Sequence, residues 1–241
     1  MNARVGLIVP SSNTVAEVDF YRRLPTRATL HTARMYLDEV TPEDEAVMLD
    51  EHLPGAVRDL ATAHPDVVVF ACTSAGALRG NTAEEELVGR IASGTGARAI
   101  SVAAAVRKAI ATRGARRVAV VTPYVESVNQ RIRASLEEDG VEVTAADGMG
   151  IVANGHIGAV EPEQIVEFAC RKRHGRADLL FISCTNFRAL EARERIEQQL
   201  RVPVVTSNHA ALDAVLEFLA HAEECDQAAP RAQSRPAGFA S

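Results

Sequence analysis

Short apolar runs, each closed by a polar or proline-bearing turn, alternate along this chain with longer amphipathic stretches. Arg4 to Val9 predicts a first strand, closed by Pro10-Ser11-Ser12-Asn13-Thr14, a polar turn suited to cap a helix beginning near Val15. Residues 28–36 alternate loosely and predict a second strand. Thr41-Pro42-Glu43 opens a helix with a capping residue, a proline at the first position and acidic neighbours that suit the helix dipole. That helix is expected to run to about Ala63, kinked near Pro54. The unbroken apolar run before Cys72 predicts a strand buried on both faces. A loop containing Gly76 and Gly80 follows, then a helix near 83–93, a strand at 98–102 and a helix from Ala103 to about Arg113.

The pattern then begins again. Arg117 to Thr122 mirrors the first strand, with Pro123-Tyr124 where Pro10-Ser11 stood. A helix at about 125–139, a strand at 141–146, a glycine-rich loop from Gly148 to Gly158 and a helix opened by Glu161-Pro162-Glu163 come next. Asp66-Val67-Val68-Val69-Phe70-Ala71-Cys72-Thr73 returns 112 positions later as Asp178-Leu179-Leu180-Phe181-Ile182-Ser183-Cys184-Thr185. A helix over 190–200, a strand over Val202 to Thr206 and a last helix from His209 to about His221 complete the pattern. Each half is a run of β-α units, which predicts a parallel sheet with helices on both faces. The expected division is residues 1–113, completed by the helix at 209–222, then 114–208. Residues 223–241 lack apolar periodicity and read as a disordered tail, which makes Cys225 a bystander.

The repeat changes the reading of the cysteines. One cysteine after an apolar strand is usually an inert core residue. Two at the same register, followed by small polar residues (Thr73-Ser74, Thr185-Asn186), place a thiol at the carboxyl end of a strand in each half, where open α/β sheets bind ligands.

Composition narrows the partners. The chain has 241 residues, 47% of them hydrophobic, with a net charge of −6 and no basic block, which argues against nucleic acid or an anionic membrane. The apolar run Val5 to Val9 is too short for a signal-peptide core, no run reaches membrane-spanning length, and the expected location is cytoplasmic with reduced thiols. Cysteines at 72, 170, 184 and 225 show no metal spacing, and no metal is expected. Gly94-Thr95-Gly96 lacks the third glycine and the preceding strand of a dinucleotide fingerprint, and no P-loop occurs, so no cofactor is expected.

Gly6-Leu7-Ile8-Val9-Pro10-Ser11-Ser12-Asn13-Thr14, the two Cys-Thr strands, Pro123-Tyr124, Asn154 and Ser207-Asn208 together resemble the aspartate/glutamate racemase superfamily. Within it they look most like the branch of maleate cis-trans isomerases and arylmalonate decarboxylases. The resemblance implies two similar flavodoxin-like α/β domains with parallel sheets, related by a pseudo-twofold axis, with the active site in the cleft between them. It also implies one catalytic position per half. Both are cysteines in the isomerases, whereas the decarboxylases carry glycine at the first. Cys72 and Cys184 fit the isomerases. The superfamily's amino-acid racemases typically follow each cysteine with Asn-Thr, and that signature is absent here.

The implied reaction is the conversion of maleate, or a close cis-dicarboxylate, to its trans isomer. Cys72 would add to the alkene as a thiolate, with a pKa below the free-cysteine value, and Cys184 would manage a proton on the opposite side. Asn13, Thr73, Ser74, Tyr124, Asn154 and Thr185 are the expected substrate-binding residues, joined by the backbone N–H groups after each cysteine. The expected partner is a small dicarboxylate, and the chain is expected to form a dimer or tetramer. An amino-acid or hydantoin racemase, an arylmalonate-type decarboxylase and a non-catalytic dicarboxylate-binding protein are the alternatives.

Overall fold

Two parallel sheets of identical strand order carry the fold. The structure is a computed structural model and describes residues 2–172 and 174–228; the side chains at 223 and 225–228, Cys225 among them, lie outside that description. Strands β1 (Ala3–Pro10), β2 (Ala28–Met35), β3 (Val67–Phe70) and β4 (Arg98–Ser101) form one sheet in the order β2-β1-β3-β4. Strands β5 (Arg117–Thr122), β6 (Glu142–Gly148), β7 (Leu179–Ile182) and β8 (Val204–Thr206) form the other in the order β6-β5-β7-β8. The repeat therefore encodes two copies of one topology.

The conserved spacing between the copies has a physical reason. β3 and β7 are internal strands buried along their whole length, which is why both read as continuous apolar runs. The aspartate just before each one anchors the neighbouring strand. The Asp66 carboxylate accepts from the Arg4 N–H at 2.7 Å, and the Asp178 carboxylate accepts from the Arg117 N–H at 3.0 Å. Each aspartate thus fixes the register of its strand against β1 or β5.

The helices are α1 (Ala16–Arg23), α2 (Pro42–Val47), α3 (Leu53–Ala61), α4 (Thr73–Ala77), α5 (Asn81–Thr95), α6 (Val102–Thr112), α7 (Glu126–Glu138), α8 (Asn154–Gly158), α9 (Pro162–Arg171), α10 (Ala189–Leu200) and α11 (Ser207–Ala228). Thr41 caps α2, its hydroxyl accepting from the Asp44 N–H at 3.1 Å. The interruption expected near Pro54 is a π-helical turn, Met48–His52, between α2 and α3. Proline cannot donate to the carbonyl one turn back, and a widened turn before it accommodates the missing bond.

Three expectations need correction. The segment after Cys72 and the glycine-rich stretch after Gly148, both read as loops, contain the helical turns α4 and α8. Each is five residues long and glycine-bearing, too short for apolar periodicity to reveal it. The last helix starts at Ser207 and continues past His221 to Ala228, so a disordered tail does not begin at 223; positions 229–241 lie outside the described residues. α11 packs on α6 and α1, both formed from the first half of the chain.

Candidate active site

β3 delivers Cys72 and β7 delivers Cys184, each at the carboxyl end of an internal strand. From the same edge of the second sheet β5 delivers Tyr124, whose loop is held tightly. The Tyr124 N–H donates to the Thr122 hydroxyl at 3.0 Å, and the Tyr124 carbonyl accepts from the Gly150 N–H at 3.1 Å. Gly148 makes this approach possible, because a Cβ there would stand 2.1 Å from the Tyr124 carbonyl oxygen.

These three residues converge with Ser74 and Glu45. The Cys72 Sγ lies 3.8 Å from the Ser74 Oγ, and Ser74 is also hydrogen-bonded to the Glu45 carboxyl. The Tyr124 hydroxyl is within hydrogen-bonding reach of both the Cys184 thiol and Ser74. Both cysteines are 4% exposed.

The two thiols are held differently despite equivalent sequence positions. Cys72 is extended (φ −140°) and caps α4, its carbonyl accepting from the Gly76 N–H at 3.1 Å. Cys184 has φ +104°, a strained conformation for a residue with a side chain. Its N–H donates to the Ser207 hydroxyl at 3.0 Å, and Ser207 accepts a second bond from Thr73 at 2.9 Å. The Asn186 N–H points back at the Cys184 sulfur at 3.3 Å.

Burial dominates the electrostatics. It pushes the Cys184 thiol up to about 12, while hydrogen bonds from Tyr124 and from the Asn186 and Phe187 N–H groups pull it down. Burial raises the Cys72 thiol well above the usual cysteine range, the Glu45 charge adds to the rise, and the Ala75 N–H and Ser74 oppose it. Burial also raises Tyr124, so its hydroxyl stays a donor. The lowered thiol pKa expected for the nucleophile is therefore not found at Cys72, because the strongest influences on it include no cation.

The remaining predicted residues form a polar web around this cluster. Asn13 holds the turn that leads into α1, its amide oxygen accepting from the Val15 and Ala16 N–H groups at 3.0 Å each. Its amide nitrogen donates to the Thr185 hydroxyl at 3.0 Å, and Thr185 donates to the Ala71 carbonyl at 2.9 Å. Asn154 donates to the Ser12 hydroxyl at 2.8 Å. The Asn186 amide bridges the halves, donating to the Asn154 carbonyl at 2.7 Å while accepting from the Thr14 N–H at 2.8 Å. Thr73, through Ser207, and Asn154, through Asn186, reach Cys184 by two hydrogen bonds, and Asn13 and Thr185 are bonded to each other.

Glu45 was not visible as a site residue in the sequence. It read as one of several acids in the first turn of α2, where surface helices commonly carry them. In the fold it is 1% exposed, and burial pushes its carboxyl up to about 8, opposed by Ser74 and by the Arg131 charge. Among the described residues no cluster of His, Cys, Asp and Glu could hold a metal ion, and no helix is long and apolar enough to cross a membrane.

The family model described as Arylmalonate decarboxylase matches residues 5–231. The chain belongs to the arylmalonate decarboxylase family. A curated relative, the maleate isomerase of Geobacillus stearothermophilus, is 30% identical over 230 residues, covering 90% of this chain and 91% of the relative. The solved maleate isomerase of Pseudomonas putida S16, a Cys-to-Ala variant with maleate, superposes with a TM-score of 0.85 at 28% identity over 90% of this chain and 92% of that one. A Cys-to-Ser mutant of the Nocardia farcinica maleate cis-trans isomerase, carrying a covalently bound succinylcysteine intermediate, gives a TM-score of 0.82 at 26% identity over 90% and 93% of the two chains. Within the arylmalonate decarboxylase family, a thiol in each half is the feature of this chain that bears on its chemistry.

Proposed function

We propose that this chain is a cofactor-independent cis-trans isomerase of maleate or a close cis-dicarboxylate, working in a cleft between residues 1–113 and 114–208. The observation that carries the reading is the meeting of Cys72 and Cys184 around Ser74 and Tyr124 in one buried cluster, in a chain similar to several maleate isomerases. A small dicarboxylate is the proposed partner, and a cytoplasmic dimer or tetramer the proposed setting.

The chemistry follows from the double bond, which must become single before it can rotate. Cys72 reacts as its thiolate, its proton leaving with the water that the substrate displaces. The Sγ–C bond forms, and the π electron pair moves to the adjacent carbon, spread into its carboxylate. The Cys184 thiol gives that carbon a proton, which yields a succinyl thioether of the kind carried by the Nocardia farcinica mutant. After rotation the Cys184 thiolate takes a proton back from the same carbon, the C–S bond breaks, and the trans alkene leaves. Ser74 and Tyr124 offer hydroxyl donors to the carboxylates, and Asn13 and Asn154 each have a second amide proton beside the bond already made. Thr73 and Thr185, whose single protons go to Ser207 and to the Ala71 carbonyl, shape the wall of the site.

Incubation with maleate, followed by proton NMR for fumarate, tests the activity. Cys72→Ala should lose turnover and adduct together, and Cys72→Ser should be nearly inactive. Cys184→Ala should lose turnover yet accumulate a maleate-mass adduct on Cys72 in intact-protein mass spectrometry, while Cys170→Ala should behave as wild type. An adduct on Cys184 in the Cys72→Ala protein would reverse the two roles. Failure of every small cis-diacid to turn over would reject the reading.

A further inference from the structure

Glu45 is a carboxyl group in the same buried cluster as both thiols, and the isomerisation as written gives it no part. It sits on α2, hydrogen-bonded to the Ser74 hydroxyl. Ser74 in turn lies 3.8 Å from the Cys72 sulfur and within reach of Tyr124. A hydroxyl has one proton to give. Beside an ionised Glu45, Ser74 must donate inward, leaving only lone pairs for the cleft. Beside a protonated Glu45 it accepts inward, and its own proton is free to turn outward. A diacid brings negative charge to the cleft, where an ionised Glu45 would repel it and a Ser74 lone pair would offer it nothing.

We infer that Glu45 is a specificity-determining positioning residue that works as a neutral carboxylic acid, donating to Ser74 so that the Ser74 hydroxyl points at a substrate carboxylate. The inference rests on the dicarboxylate reading of the site and adds that a diacid binds only to the Glu45-protonated form.

Burial favours a neutral Glu45 and outweighs the Ser74 hydrogen bond and the Arg131 charge, which favour the ionised form. Arg131 of α7 is the cation that acts on it, with one guanidinium nitrogen committed to the Leu78 carbonyl at 2.7 Å. The other titratable groups of the cluster are Cys72, Cys184 and Tyr124, each raised by burial and so held neutral. α4, which packs against α2, carries no titratable side chain. On α2 itself Glu43 is exposed and Asp44 is bound to Thr41, and the adjoining π turn carries Glu51, His52 and Asp50, the last paired with Arg79 at 2.6 Å. Burial holds Glu45 protonated up to about pH 8. Diacid affinity should therefore be full below about 8 and fall above it, approaching tenfold per pH unit for one linked proton.

The test is a split of KM from kcat against pH, for wild type and Glu45→Gln, with maleate. In wild type KM should climb above about pH 8, while Glu45→Gln, whose amide donates to Ser74 at any pH, should keep a low KM to pH 9.5. Calorimetry of maleate binding to Cys72→Ala protein at pH 8.5, in two buffers of different ionisation enthalpy, should show proton uptake. This measurement reads the inference even if Glu45→Gln does not fold or maleate is not turned over. Binding without proton uptake would overturn it, as would a KM rise that survives in Glu45→Gln. A kcat that rises through about pH 8 and flattens in Glu45→Gln would make Glu45 a base instead. Loss of turnover with diacid binding intact rejects only the isomerase reading, and no diacid binding at all rejects both.

Discussion

At the scale of single residues, the site turns on groups whose chemistry is set by burial. Glu45 is the clearest case. Its carboxyl is raised to about 8 from an ordinary value near 4.5, so the folded protein holds this proton more tightly than the unfolded chain does. Its contribution to stability is present in full below about 4.5 and is lost as pH rises through about 8. The melting temperature of Glu45→Gln relative to wild type should therefore be higher at pH 9 than at pH 4.5, by a few degrees. A difference independent of pH would show that Glu45 ionises freely in the fold. The cysteines were legible in the sequence because the repeat marked them. Glu45 was not, because an acid in the first turn of a helix looks the same whether it faces water or a thiol. Nor could the sequence foresee the +104° φ of Cys184, since the matching position in the other half is ordinary extended backbone.

At the scale of elements, the two short helical turns matter more than their length suggests. α4 begins directly after Cys72, and α8 brings Asn154 to Ser12 and Asn186. α8 can come this close because residue 158 is glycine. A Cβ there would stand 2.7 Å from the Thr14 hydroxyl oxygen and 3.0 Å from the Asn186 amide oxygen. Gly158→Ala should cost about 1–3 kcal/mol in a denaturant melt and reduce turnover by up to about 100-fold through misplacement of the web. Gly55→Ala is the control: nothing stands within 4 Å of its Cβ, and removing a helix-interior glycine should stabilise by about 0.5–1 kcal/mol. Turnover equal to wild type in Gly158→Ala would show that α8 does not position the site. Hydrophobic periodicity marked every longer element, but these two turns are held by tertiary hydrogen bonds that it does not report.

At the scale of the whole molecule, the two halves are tied on both sides of the thiols. Near the cleft, Glu39 and Ala153 form an antiparallel bridge, flanked by the Val40 N–H on the Val152 carbonyl at 2.8 Å and the Asn154 N–H on the Asp38 carbonyl at 2.9 Å. Farther away, Asn81 donates to the Ser135 carbonyl at 2.9 Å. Arg107 there reaches across to Asp139 at 3.0 Å and pairs within its own half with Glu84 at 2.5 Å. The Glu84 side chain is 1% exposed, so removing its cation strands a buried charge. Arg107→Ala should destabilise the protein by about 3–5 kcal/mol, measured by chemical denaturation, and should do so in wild-type and Cys72→Ala backgrounds alike. A loss below 1 kcal/mol would mean that the buried Glu84 carboxylate does not depend on this cation.

The sequence by itself determined the duplicated α/β plan and the parallel sheets. It also placed both thiols at strand ends and the aspartates that set the strand registers. These features depend on local periodicity and on spacing along the chain, which the order of residues records directly. Only the tertiary structure decided which polar residues meet the thiols, and that burial raises rather than lowers their pKa. It also brought Glu45 beside Ser74 and put Asn186 between Thr14 and Asn154. Hydrogen-bond partners and desolvation depend on which side chains close over one another across two halves of the chain, and distance along the sequence carries almost no record of that.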